Sequence, residues 1–355
     1  MPLVIAASVS SHFKLMSIVR DASLNSATIA KYRSAALRFL QFCTASIPTS
    51  STATSLLSPD SRTQHDDVFS HLTAADIDVL MSDFIDSLYA EGGSFDLAKN
   101  AVFGTIHFQP LLKQQLPESR LRLQGWTRSH PAHQRPPLTW SIACLLAVSM
   151  AKSGYPFHAV ATLLAFDCYL RIGEFTSLLV RDIAVPNDPR MGPAYTGMAV
   201  ILKVTKTGRN QSVTIRRPEV CQLLLSLLRV HRSPYSTVFN STAATYRSVF
   251  HSACAAVGLG HVGYSPHSLR HGGATEDFLK QVPLADILFR GRWAASKSAT
   301  TYVQSGRALL LTASIPMQVA QLSSHVSTNV FSLLKPLIDT HQPQASHPRA
   351  PARAQ

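Results

Sequence analysis

Between Pro156 and Leu170 the chain reads PFHAVATLLAFDCYL, apolar on almost every side of a helix. A helix of that kind cannot lie on a surface, so other elements have to surround it. A charge at its end is therefore committed to an interior, and the next residue is Arg171. An unpaired guanidinium there would be costly. Glu174 stands three residues on, near enough to hold it. The pair reads as a structural ion pair or as a positioned cation with its support.

A second stretch, SPHSLRHGGATEDFLKQVPLADILFRGRWAASKSATTYVQSG from Ser265 to Gly306, concentrates reactive side chains. Ser265 and Pro266 suit an N-cap and first turn. His267 and Arg270 then share a helix face. Leu269, Ala274, Phe278 and Leu279 continue an apolar period that predicts one face packed on a core. Leu284, Ile287 and Leu288 mark a second short helix ended by Gly291. Trp293 follows at the break, and Tyr302 falls on a third short element. An imidazole, a guanidinium, an indole N–H and a phenol over one patch point to work on a phosphate.

The pattern HSLRHGGAT…GRW…TTYVQ resembles the C-terminal signature of the tyrosine recombinase (phage integrase) family. That family uses His-x-x-Arg, then His or Trp, then a nucleophilic Tyr. The intervals here, 23 residues from Arg270 to Trp293 and nine more to Tyr302, fit it. Arg171 with Glu174 is similar to its first catalytic motif. Upstream, AVILKVTKTGRNQSVTI alternates from Met198 to Val204, turns through Thr207 to Asn210, and resumes at Val213 and Ile215, a β-hairpin pattern. Family members carry a mobile catalytic Lys in such a hairpin. Lys206 near the tip matches it; Lys203, further from the turn, suits a solvated side chain. The GRW context resembles recombinases of eukaryotic mobile elements.

The resemblance implies a catalytic set of Arg171, Glu174, Lys206, His267, Arg270, Trp293 and Tyr302, with no cofactor and no metal. Arg171 and Arg270 would clamp the non-bridging phosphate oxygens with forked, permanent charge, joined by the Trp293 indole N–H. His267 would assist proton transfer, and Lys206 would protonate the departing 5′-oxygen. Tyr302 would attack and store the bond as a 3′-phosphotyrosine. Double-stranded DNA is the implied partner, with a homodimer or tetramer forming on it. Two alternatives stay open: a type IB topoisomerase, and a domesticated DNA-binding protein whose catalysis has lapsed.

Charge agrees with a polyanionic partner. The 355 residues carry 33 Lys and Arg against 20 Asp and Glu, a net +13, which favours nucleic acid over a membrane surface. Its distribution says more: 18 basic and 8 acidic residues lie between Pro136 and Ala320, but 12 and 11 between Met1 and Arg135. The five cysteines are far apart with no CxxC, so buried free thiols in a reducing compartment are expected. No apolar run approaches the roughly 20 residues of a membrane span, and LVIAASVS lacks the basic flank of a signal peptide. An intracellular protein working with DNA is expected, nuclear in a eukaryote and cytoplasmic in a prokaryote.

The expected fold is mainly α with a small β-hairpin or sheet: a helical N-terminal core-binding domain plus a mixed α/β catalytic domain. Its parts would be a flexible arm (1–21), the DNA-clamp domain (22–126) and a linker (127–138). The catalytic domain (139–312), an assembly helix (313–338) and a disordered tail (339–355) follow. In the first half, Ile29, Tyr32, Ala36, Phe39, Leu40 and Cys43 keep helical spacing, and Ser46 to Asp67 reads as a loop. Thr73 and Asp76 mark the cap of a helix through Leu88, stopped at Gly92-Gly93; another spans Phe95 to Phe108. Thr139 caps a helix to Lys152. Val220 to Val230 and Tyr246 to Val257 read as scaffold helices. Val319, Leu322, Val326, Val330 and Leu333 form an apolar stripe expected to dock on a neighbouring protomer.

Overall fold

The computed structural model describes residues 21–46, 72–130, 135–192, 194–205, 208–231, 233–293, 303, 306 and 315–340. The chain divides into two compact units, Met1–His133 and Gln134–Gln355. Residues 1–20 of the expected arm, 47–67 of the expected loop and 341–355 of the tail lie outside the described residues.

In the first unit, helices α1 (Ser26–Ser46), α2 (Ala74–Ala90), α3 (Phe95–Phe108) and α4 (Pro117–Ser129) enclose Phe39, Cys43, Met81, Ile85, Val102 and Trp126. The expected cap of α2 is present: the Asp76 N–H donates to Thr73 Oγ1 at 3.2 Å and the Thr73 N–H to Asp76 Oδ2 at 2.9 Å. Gly92, at φ +68°, ends α2 in a conformation that costs glycine little. Helix α4 was not evident from the sequence, because its run of arginines shows no apolar period. Its start is fixed from a distance. Buried Asp78 on α2 accepts the N–H groups of Glu118 and Ser119, each at 2.9 Å. The helix runs through Ser129, three residues into the expected linker.

In the second unit, α5 (Trp140–Lys152), capped by Thr139, packs on α6 (Pro156–Asp167), which is buried along almost its whole length. The expected helix to Leu170 stops at Asp167, where Tyr169 turns left-handed at φ +49° and sets up the short α7 (Ile172–Thr176). Strands β1 (Ile183–Ala184), β2 (Met198–Thr205) and β3 (Gly208–Ile215) form an antiparallel sheet in that order. Thr205 pairs with Gly208, so the strands meet earlier than the polar run Thr207–Asn210 suggested. Ladder hydrogen bonds come from the main chain and do not need apolar side chains. Helices α8 (Pro218–Leu228) and α9 (Ala243–Ala256) add the expected scaffold.

Helix α10 (Pro266–Leu279) carries the His-x-x-Arg pair, and α11 (Leu284–Gly291) leads to Trp293. The apolar period expected on α10 holds for Leu269 and Ala274 but fails at its end. Phe278 is 43 % and Leu279 50 % exposed. The helix is seated by its small residues instead. A Cβ on Gly272 would lie 2.0 Å from the Leu138 carbonyl oxygen, and one on Gly273 would lie 2.3 Å from that of Phe166.

The expected C-terminal helix is two, α12 (Met317–Thr328) and α13 (Val330–Asp339), broken at Asn329. The break moves the buried row to Val326, Val330, Leu334 and Ile338, an i, i+4 series inside the core of the same unit. Leu322, from the expected stripe, is 51 % exposed. α12 packs on α5, and α13 on α8 and α5. Apart from Leu322, the face assigned to a neighbouring protomer packs within its own unit.

Candidate active site

Arg171 is the residue before α7, and its Nη1 donates to Glu174 Oε1 at 2.7 Å. The Arg171 main-chain N–H binds the other carboxylate oxygen at 2.9 Å. Glu174 is buried, while the Arg171 side chain keeps 20 % of its surface in solvent. Glu174 holds Arg171 as expected, and it is the carboxylate that lies deeper while the guanidinium reaches solvent.

Arg270 is wholly enclosed. Its Nη1 donates to the Tyr169 carbonyl and its Nη2 to that of Gly291. Its Cζ lies 4.7 Å from the centre of the Trp293 ring, a cation–π stack. Trp293 also faces Tyr169, with ring centres 6.1 Å apart and 29° between planes. Gly291 makes room for that indole, since a Cβ there would come within 2.0 Å of it.

His267 is half-buried on α10, its ring 4.9 Å from that of His271 and nearly perpendicular to it. Burial lowers its pKa first; the charges of Arg270, Arg171 and Arg135 push the same way, to about 4. The imidazole is therefore neutral at physiological pH. That coupling also locates the site, since Arg171 and Arg270, far apart in sequence, act on one ring.

Five of the seven expected residues thus come together: Arg171, Glu174, His267, Arg270 and Trp293. Lys206 and Tyr302 lie outside the described residues. Lys203, the other lysine of the hairpin, has its Nζ 3.0 Å from Asp182 Oδ1.

Sequence reasoning missed Arg292. Its Nη2 lies 2.8 Å from Glu174 Oε2 and 3.1 Å from the Tyr169 carbonyl oxygen. Arg290 was missed too. Its Nε donates to the Asp167 carbonyl at 3.1 Å and its Nη1 to that of Thr214 at 3.0 Å, joining α11 to α6 and β3. The available signal was a pair of arginines flanking Gly291, beside the Trp293 already singled out. Among the described residues no group of His, Cys, Asp and Glu could hold a metal ion, and no helix is long and apolar enough to cross a membrane. The five cysteines are free, and burial pushes the thiols of Cys43 and Cys254 up to about 12.

Residues 142–308, which hold every one of the expected catalytic positions, match the model of the phage integrase family. That stretch is similar to the family's domain. Its fold is shared with solved integrases. Lambda integrase, solved as a dimer bound to a COC′ core site, superposes with a TM-score of 0.54 at 14% identity, over 86% of this chain and 81% of that one. The Tn1549 transposon integrase, in complex with transposon right end DNA, gives 0.54 at 12% identity, over 85% of this chain and 98% of that one. A lambda integrase tetramer bound to a Holliday junction gives 0.54 at 14% identity, over 85% and 77%. No curated protein matches the chain. At such identities the likeness is one of fold.

Proposed function

We propose that the chain is a site-specific DNA recombinase that cleaves and rejoins strands through a covalent 3′-phosphotyrosine at Tyr302. One observation carries this reading: Arg171 and Arg270, far apart in sequence, are tied together through Glu174, Arg292 and the Tyr169 carbonyl, with Trp293 stacked on Arg270. Two guanidiniums and an indole N–H so gathered suit the charge that develops on a phosphodiester under attack, and His267 on the same helix as Arg270 is placed to assist proton transfer.

The Tyr302 oxygen attacks phosphorus and its proton passes to His267. The P–O5′ bond breaks, and Lys206 protonates the leaving oxygen. Arg171 and Arg270 take up the charge that gathers on the non-bridging oxygens, with the Trp293 N–H beside them. Attack by a 5′-hydroxyl from a second strand reverses each step and rejoins the DNA. The phosphodiester bond energy is kept throughout in the tyrosyl ester, so no nucleotide is consumed. Arg270 is enclosed in the free chain, so a phosphate reaches it only after its cover moves. This couples DNA binding to completion of the site.

Lambda integrase, a fold relative, assembles on DNA as a dimer and as a tetramer, and we assign the same behaviour here. The helical first unit serves as the second jaw of a DNA clamp. The protein acts inside the cell on its DNA, in the nucleus if its host is a eukaryote, as the GRW context suggests. The test is a nicked duplex carrying a candidate element end, which traps the cleaved intermediate. Wild type should form a protein–DNA adduct stable to SDS. Tyr302→Phe should form none while binding the same DNA within about twofold, because the phosphate contacts reside elsewhere. An adduct formed by the Phe variant would overturn the assignment.

A further inference from the structure

Arg292 stands between Gly291 and Trp293 at the end of α11, in the left-handed region at φ +55°. Glycine fits that position at least cost, so the arginine there carries a backbone penalty that its side-chain contacts have to offset. The side chain is 2 % exposed. Besides Glu174 and Tyr169, its Nη1 contacts the carbonyls of Arg290 at 3.2 Å and Cys168 at 3.5 Å.

These contacts reach both clamp arginines. Glu174 Oε1 takes Arg171 Nη1, and Oε2 takes Arg292 together with the Arg171 main-chain N–H. The Tyr169 carbonyl takes Arg292 and Arg270 together. A carboxylate facing one guanidinium binds it with both oxygens. With Arg292 on Oε2, the Arg171 guanidinium is held by Oε1, and its remaining edge is left for substrate. We infer that Arg292 is a positioning residue: it occupies one oxygen of Glu174 so that Arg171 is not drawn into a two-pronged pair, and it steadies the carbonyl that anchors Arg270. The inference rests on the proposed role of the two arginines as phosphate ligands.

Arg292→Gly removes the guanidinium and suits the backbone. With the nicked substrate, single-turnover cleavage by this variant should fall on the order of 30- to 100-fold, part of the loss of a full transition-state donor. DNA affinity should stay within about threefold, because no substrate contact is deleted. Arg292→Lys keeps a cation near Glu174 and should recover about tenfold of the loss. On a substrate whose scissile phosphate is a neutral methylphosphonate, the gap between wild type and Arg292→Gly should shrink below about threefold, because less charge needs clamping. A merely structural role would slow both substrates alike, and that result overturns the inference. Wild-type cleavage of the ordinary substrate by Arg292→Gly also overturns it. Should the Gly variant melt early, the Lys variant on the two substrates decides the matter by the same ratio. Arg171→Ala separates the two levels. If it cleaves normally, the phosphate-clamp reading itself fails; if it is crippled while Arg292→Gly is normal, only the positioning role falls.

Discussion

The ammonium of Lys203 lies 3.0 Å from the carboxylate of Asp182, held on the flank of β2. A lysine so engaged is poorly placed to follow a leaving group, in keeping with the proposal that Lys206 is the general acid. Lys206→Ala should slow cleavage about 100- to 1000-fold, in the range of a lost general acid. Replacing the bridging 5′-oxygen by sulfur, a leaving group that needs no proton, should restore most of that rate. Lys203→Ala should cleave within about threefold of wild type. Single-turnover rates on the two substrates check this, and an unrescued Lys206 variant would count against the role.

Ionisation of His267 predicts a pH effect on stability. The folded pKa is lowered to about 4 from an ordinary 6.5. Between those values the unfolded chain binds a proton that the folded chain refuses. Stability is therefore complete above about pH 6.5 and is lost as pH falls toward 4. Allowing for the ring's partial exposure, the loss is on the order of 1–2 kcal/mol. Urea melts at pH 7 and pH 4.5 should show His267→Asn losing less than wild type across that window.

Gly273 packs against the Phe166 carbonyl with no room for a methyl group. Main chain on both sides cannot step aside without moving α6 or α10. Gly273→Ala should cost about 1–3 kcal/mol by overpacking. Since α10 carries His267 and Arg270, cleavage should fall along with the melting temperature. An Ala variant as stable as wild type would show the contact to be looser than described.

The C-terminal helices also carry a prediction. Val326, Val330, Leu334 and Ile338 are at most 5 % exposed within the second unit's core. Each is an aliphatic side chain whose removal from a core costs about 2–5 kcal/mol. Truncation after Ile315 should therefore lower the thermal stability of the protein in the absence of DNA. Calorimetry of the truncated chain would decide it. An unchanged melting temperature would return the stripe to a role between protomers.

Part of the candidate site was legible in the chain. Arg171 with Glu174, and His267, Arg270 and Trp293, stood out by residue type and interval, and the structure brings these five together. Capping at Thr73 and Thr139 and the hydrophobic period of α2 and α8 are local, so neighbours in sequence sufficed to read them. Contacts between distant segments were beyond reach. Arg292 means little until folding brings it beside Glu174, 118 residues away. Phe278 and Leu279 kept an apolar rhythm and still face solvent, because two glycines seat α10 more closely than side chains could. α4 was hidden because its anchor, Asp78, lies on another helix. The apolar stripe near the C-terminus announced only that something must cover it. The tertiary structure decided what: burial follows the nearest complementary face, and α5 and α8 supply that face within the same unit.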